Sequence, residues 1–286
     1  MQKSGQDWRV LILMLVMTTM GLPVTASANY EEPALMGAGS HFAWIVFDAL
    51  KEDLEKATGR KTVLFGENSM LGVGCNAGIK AAIQHTKDHE TFGFVCCPLT
   101  PEEIKENDLV VYPLAKEPIL ILVNQANPIN DISTQQVKAI FRGEITNWNE
   151  VGGWDEPIVL VTRLHCKKRP GHWKLIEPDI KKIRQERLNV KDARKMIQHV
   201  SDFKGAMGHT GSTWKFDAQN NIKIVTVDGY APTAQNILAG KYPFWRQLSA
   251  ITKSNPSPDI LKLIKAAQHG PAFGRVAKQY NLLPSN

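Results

Sequence analysis

Beyond residue 28, no stretch of this 286-residue chain reaches 18 apolar residues in a row, so the body of the protein supplies no candidate membrane-spanning helix. Cysteine is scarce. Four in this length are far too few to staple a fold with disulfides. Repeats and low-complexity tracts are missing. With 43% hydrophobic and 22% charged residues, the composition excludes wholesale disorder, a fibre and a coiled coil. Chemical signatures are missing too. There is no H-E-x-x-H and no C-x-x-C, and neither glycine-rich loop continues into Gly-Lys-Ser/Thr or fits a dinucleotide fingerprint. No nucleophile, base and orienter stand together, so an enzyme is not expected, and neither is a cofactor. The net charge of +6 favours anionic partners in a general way and gives no reason to invoke nucleic acid.

What is present begins with an address. Residues 1–28 read as a secretory signal peptide: Lys3 and Arg9 are its positive start, residues 10–17 its apolar core, and Ala26-Ser27-Ala28 a small-residue cleavage site. The apolar core is shorter than the roughly 20 residues of a membrane span. The first 30 residues hold no cysteine for lipid attachment. The expected mature protein starts at Asn29 and is periplasmic, where disulfides are permitted.

The remaining chain alternates between two periodicities. Helices are predicted at 42–58 (closed by Gly59), 79–85, 133–141, 258–269 and 272–280, and a broken one over 174–200. Strands are predicted at 61–65, 92–95, 118–123, 157–161, 222–227 and 248–252. Such alternation predicts an α/β fold with mostly parallel sheets.

Three loops carry chemistry. Gly37-Ala38-Gly39-Ser40 and Gly72-Val73-Gly74-Cys75-Asn76-Ala77-Gly78 both run into helices, whose first N–H groups are free to meet an anion. Plain turn geometry would explain either glycine cluster equally well. The third loop, residues 163–172, follows a buried strand and holds Arg163, Lys167, Lys168 and Arg169. Strand C-termini are where open α/β sheets place ligands, although a solvated basic loop reads the same way.

These loops, together with Cys97-Pro98-Leu99-Thr100, Ile140-Phe141-Arg142-Gly143-Glu144-Ile145-Thr146-Asn147-Trp148, Gly205-Ala206-Met207-Gly208 and Val227-Asp228-Gly229-Tyr230-Ala231-Pro232-Thr233, resemble the periplasmic phosphate-binding proteins. Those are substrate receptors of ABC importers with the two-lobed type II periplasmic-binding-protein fold. The resemblance implies one lobe of residues 29–114 plus 229–286 and another of 115–228. Two strands would cross between them at a hinge, and a small inorganic ligand would sit between helix N-termini. It further implies a monomer that serves an ABC permease or a membrane sensor kinase.

The ligand site departs from that pattern. His41-Phe42 stand where the family often has Thr-Phe, Cys75 where it has a serine that meets phosphate, and Cys96 where it often has an aspartate that accepts phosphate's proton. Arg163 is kept, but a Gly-Ser-Gly-Thr run is replaced by His165-Cys166-Lys167-Lys168-Arg169-Pro170-Gly171-His172-Trp173. The implied ligand-binding set is Ser40, His41, Phe42, Cys75, Asn76, Cys96, Arg163 and Cys166. Thiols are weak hydrogen-bond donors, whereas thiolates hold soft centres. Cys75, Cys96 and Cys166 would suit trivalent arsenic or antimony and, with His41, His165 or His172, copper(I) or zinc. A structural disulfide, Cys75–Cys96 or Cys96/Cys97–Cys166, stays open, as do retained oxyanion binding and a thiol redox enzyme. Strand alternation should turn Cys97 away from the cleft.

Overall fold

The computed structural model describes residues 33–65, 74–167, 169, 171–214 and 221–285. The expected signal peptide, 1–28, lies outside them. In chain order the strands are β1 (Leu35–Gly39), β2 (Thr62–Phe65), β3 (Thr91–Val95), β4 (Leu109–Asn124), β5 (Asp131–Ile132), β6 (Val159–Thr162), β7 (Leu188–Asn189), β8 (Ala206–Gly211), β9 (Ile222–Val227), β10 (Trp245–Lys253) and β11 (Leu283–Pro284). The helices are α1 (His41–Thr58), α2 (Cys75–Ile83), α3 (Pro101–Glu106), α4 (Thr134–Arg142), α5 (Ala193–Asp202), α6 (Ala234–Leu238), α7 (Pro258–His269) and α8 (Pro271–Gln279). Among the described residues no helix is long and apolar enough to cross a membrane.

The hydrogen-bonded strand order is β2-β1-β3-β10-β4-β8-β6-β7. Pairing is parallel towards both ends, in β2-β1-β3 and in β8-β6-β7. It is antiparallel in the middle, where β10 pairs with β3 and β4, and β4 with β8 and β9. The sheet is therefore mixed rather than mostly parallel. The cause is β4, which runs through both halves: its first part pairs with β10 and its last six residues with β8 and β9. The β10 register shifts between Leu248 and Ser249, opposite Ala115 and Pro113. Proline has no N–H for the ladder, and a bulge absorbs the lost pairing.

Separate cores build two lobes. Phe42, Phe47, Phe92, Phe94, Ile264 and Phe273 belong to the first, beneath α1, α2, α7 and α8. Ile119, Phe141, Trp148, Leu160 and Val225 belong to the second. A smaller cluster of Leu122, Val161, Met196 and Val200 covers the opposite face of the second half. Ile237, Tyr242 and Phe244 also pack in the second core, so the chain rejoins the first at β10.

Two expectations fail locally. Residues 174–200 are not one broken helix. Single 3-10 turns at His172–Leu175 and Ile180–Lys182 precede β7, and α5 starts only after Asp192, whose side chain caps it. The first glycine cluster is a strand end rather than a turn: Gly37 and Gly39 lie in β1, against β3. The glycines of α2 and β3 explain why these elements approach so closely. A Cβ on Gly93 would stand 2.0 Å from the Gly78 carbonyl oxygen, so both positions must stay bare.

The long Ile-Phe-x-Gly-x-Ile-Thr-Asn-Trp run builds structure rather than a site. Gly143, at φ 78°, ends α4. Asn147 and Glu150 cap the next turn reciprocally, and buried Trp148 donates its indole N–H to the Gly205 carbonyl at 2.9 Å.

Candidate functional site: a thiol-lined cavity

A cavity of about 320 Å³ is lined by Ser40 and Phe42 at the start of α1, by Gly74, Cys75 and Asn76 at the start of α2, and by Cys96 just after β3. The loop after β6 adds Arg163, His165, Cys166 and Arg169, and β10 adds Arg246. The geometry thus brings Ser40, Phe42, Cys75, Asn76, Cys96, Arg163 and Cys166 to one place. His41 opens α1, and its side chain lies outside the described residues.

Both helix starts are open at this cavity. Neither Ser40 nor Gly74 caps its helix with a side chain, and neither first turn contains an acidic residue. The buried Ser40 hydroxyl has no hydrogen-bond partner among the described residues. Such an orphan at a helix N-terminus is a polar group waiting for a ligand.

Below these helix starts the sulfurs gather. The Cys75 and Cys96 Sγ atoms lie 3.7 Å apart, and those of Cys96 and Cys97 4.0 Å apart. The Cys96 backbone N–H points to Cys75 Sγ at 3.3 Å. All four cysteines are free. Neither suggested bridge is therefore formed, and the 3.7 Å between Cys75 and Cys96 Sγ is well beyond the roughly 2.05 Å of a disulfide bond. Cys97 is fully buried and lies outside the cavity lining, with its Sγ 4.0 Å from Cys96 Sγ and 3.9 Å from His165 Nε2. β3 stops at Val95, so Cys96 and Cys97 sit in a bend where strand alternation does not decide which way Cys97 points.

Cys166 reaches the cluster from a left-handed backbone, φ 51°, which a side-chain-bearing residue adopts only when its surroundings hold it there. Hydrogen bonds from the Cys75 and Cys97 thiols bring its pKa down to about 4, with the Arg169 charge helping. Cys97 moves the other way, raised by its thiol contact to Cys166 first and by burial after that. The thiol contacts therefore favour the charged form of Cys166 and the neutral form of Cys97.

Three guanidiniums line the same cavity. Arg163 donates its Nε to the Lys191 carbonyl at 3.1 Å, and burial lowers its pKa. Arg246, which composition and motif did not single out, is fixed by Glu117 at 2.5 Å. Burial opposes its charge, but Cys96 and Glu117 outweigh that and raise its pKa. Its only sequence signal was a charge at the edge of an apolar run, just before the strand expected to start at Leu248. Arg169 spans the cleft, donating to Glu103 at the start of α3 at 2.6 Å and to the Asn76 side-chain Oδ1 at 2.9 Å.

The histidines extend the site downward. His165 is held by its Nδ1 on the Arg163 carbonyl at 3.2 Å and by Trp173 donating to its own carbonyl at 2.6 Å. Its ring lies 4.5 Å from that of His172, whose Nδ1 is 2.9 Å from His209 Nδ1. Both deeper rings are fully buried, and burial lowers both pKa values.

The lobes, the crossing strands and the cavity between open helix starts define a two-lobed α/β fold of the periplasmic-binding-protein type. The chain belongs to the PBP superfamily domain family, whose sequence model matches residues 24–275. It is 25% identical over 259 residues to the phosphate-binding protein PstS of Borreliella burgdorferi, covering 86% of this chain and 88% of that one. With PstS of Bacillus subtilis it shares 28% identity over 152 residues, spanning 53% of this chain and half the length of that relative. Among solved structures, a putative phosphate ABC transporter substrate-binding protein with bound phosphate from Clostridium perfringens superposes with a TM-score of 0.72 at 24% identity, covering 89% of this chain and 100% of that one. An ABC-type phosphate transport receptor from Vibrio cholerae follows at 0.65 and 23%, covering 88% and 100%. These likenesses carry the two-lobed fold.

Proposed function

We propose that this protein is a periplasmic receptor that captures a small thiophilic inorganic ligand, a soft metalloid such as arsenite or a soft metal, where its relatives are named for phosphate. It would be exported by the segment 1–28 and act as a monomer. It would present the ligand to an ABC permease, the partner class of its relatives, or to a membrane sensor kinase. The lobes would be 29–116 with 246–286, and 118–244, hinged where β4 and β10 cross. This placement moves the return crossing from 229 to β10, because Tyr242 and Phe244 pack with the second core.

One observation carries the reading: Cys75, Cys96 and Cys166 line the cavity between the two open helix starts. Sulfur is a poor partner for phosphate and a strong one for soft centres. Arg163, Arg169 and Arg246 then serve to hold thiolates charged as much as to attract an anion.

A thermal-shift panel of phosphate, arsenate, arsenite, antimonite, copper(I) and zinc on the reduced protein tests this. A ligand at 100 times its Kd adds about 2.7 kcal/mol of stability. A clear shift with a thiophilic member and none with phosphate supports the reading. A shift with phosphate alone contradicts it.

A further inference from the structure

We propose that the four cysteines and His165 form a two-centre copper(I) site with Cys97 as the shared ligand. The inference rests on the receptor reading above and names the ligand class of the same cavity.

Two sets of donor atoms stand within mutual ligating reach: Cys75, Cys96 and Cys97, and Cys97, His165 and Cys166, each with its atoms within 4.8 Å of one another. They have one member in common. All three residues of the first set are buried, with Cys75 and Cys96 at the cavity wall; in the second, His165 and Cys166 are half-buried at the cavity and Cys97 is buried behind them. Cys97 lies between them, fully buried, 4.0 Å from Cys96 Sγ on one side and 3.9 Å from His165 Nε2 on the other. A thiolate sulfur has lone pairs enough to bridge two metal ions, whereas an imidazole nitrogen or a thioether does not normally do so.

Geometry and donor type choose among soft centres. A centre bonded to sulfur at the ~2.3 Å of metal thiolates, between sulfurs 3.7 Å and 4.0 Å apart, subtends angles of about 107° and about 121°. These lie in the tetrahedral-to-trigonal range. A trivalent metalloid has a lone pair that closes its bond angles below the tetrahedral value, and it has little affinity for imidazole. The second set needs His165, so a metal ion fits it better. Zinc in closed sites takes four ligands, and each set offers three. Soft thiolate donors with one imidazole and a low coordination number suit copper(I).

The surroundings agree. Two ions of charge +1 held by four thiolates leave the site negative, and Arg163 and Arg246 stand against it to balance that charge. As each ion binds, the thiols involved release their protons. His165 is fixed by the Arg163 carbonyl on Nδ1, which leaves Nε2 facing Cys97 and free to ligate. That second contact is what fixes the tautomer of a metal-binding histidine.

The test is anaerobic titration of the reduced full-length protein with copper(I) against a chromophoric copper(I) chelator, counting equivalents retained. Wild type should retain two. His165→Ala and Cys166→Ser should each retain one, and Cys75→Ser should also retain one. Cys97→Ser should weaken both sites by about a hundredfold or more, since even outer-shell partners are worth 10–100-fold. Circular dichroism and melting of each variant confirm folding. If Cys97→Ser does not fold, the His165→Ala count decides: one equivalent supports the shared site, two overturn it. A single equivalent in wild type, or two that survive Cys97→Ser, overturns the proposal. If copper(I) is not retained but arsenite or antimonite binds and closes the lobes in small-angle scattering, the copper assignment fails while the receptor reading stands. If none of these ligands binds, both fail.

Discussion

Arg246 donates its Nε to Glu117 Oε2 at 2.5 Å, and the two residues face each other across β10 and β4 where the chain passes between its cores. Glu117 is fully buried, and its other oxygen accepts from the Thr213 backbone N–H at 2.9 Å and hydroxyl at 2.6 Å. The carboxylate is thereby satisfied on both oxygens, and the guanidinium is aimed into the cavity. Breaking a buried pair by removing one partner costs about 3–5 kcal/mol, because the other charge is left uncompensated. Glu117→Leu should therefore lower unfolding stability by roughly that amount in a denaturant melt. A variant as stable as wild type would show that the Arg246 charge is supported elsewhere.

Arg169 ties three elements together at the cavity. It reaches from the loop after β6 to Glu103 on α3 and Asn76 on α2, and the Glu103 contact is bidentate. Bidentate guanidinium–carboxylate pairs add geometric specificity as well as energy. Arg169→Ala should shift the ligand-free protein towards a more open shape. Small-angle scattering should read a larger radius of gyration than wild type, with a melting temperature that moves little. An unchanged radius would place the control of closure elsewhere.

His209 makes stability depend on acid. Burial lowers its pKa to about 3 from an ordinary 6.5. For a base held neutral in the folded state, the unfolded chain takes up a proton below about 6.5 that the folded protein refuses. The contribution of His209 is thus fully present above pH 6.5 and is lost as pH falls from 6.5 towards 3. His209→Gln should flatten the fall in stability over that window, measured by urea melts from pH 7.5 to 4. An equally steep fall in the variant would assign the acid sensitivity to other groups.

Arg163 lies in the cavity wall without a carboxylate partner among the described residues. Arg163→Ala should weaken binding of the ligand selected by the thermal-shift panel by about 1.5–3 kcal/mol, the range for hydrogen bonds to charged groups. Equal affinity in calorimetry would remove Arg163 from the site.

The sequence made the alternating architecture and the cavity wall readable, for different reasons. Helices such as α1 and α7 carry full-length apolar periodicity and clear stop or start residues, Gly59 and Ser257. The cysteines were visible because they occupy three loops that the sequence resemblance placed at a ligand, and the cavity does collect Cys75, Cys96 and Cys166. The mixed sheet was hidden because β4 is one strand serving two lobes, and periodicity alone cannot show with which neighbours each half pairs. Arg246 and Glu117 were hidden for a related reason. They look like surface charges until the crossing brings them together. The setting of Cys97 was hidden because the period of two holds only while the strand lasts, and β3 ends one residue before Cys96.

The central claim is that the cavity thiols, rather than an oxyanion cradle, capture the ligand. Calorimetry of the reduced protein against phosphate, arsenite and copper(I), repeated on Cys75→Ser, tests it most directly. The account predicts tight binding of a thiophilic ligand with proton release, a loss of at least about tenfold in Cys75→Ser, and no comparable heat with phosphate. Tight phosphate binding that survives Cys75→Ser, with no response to arsenite or copper(I), would contradict it.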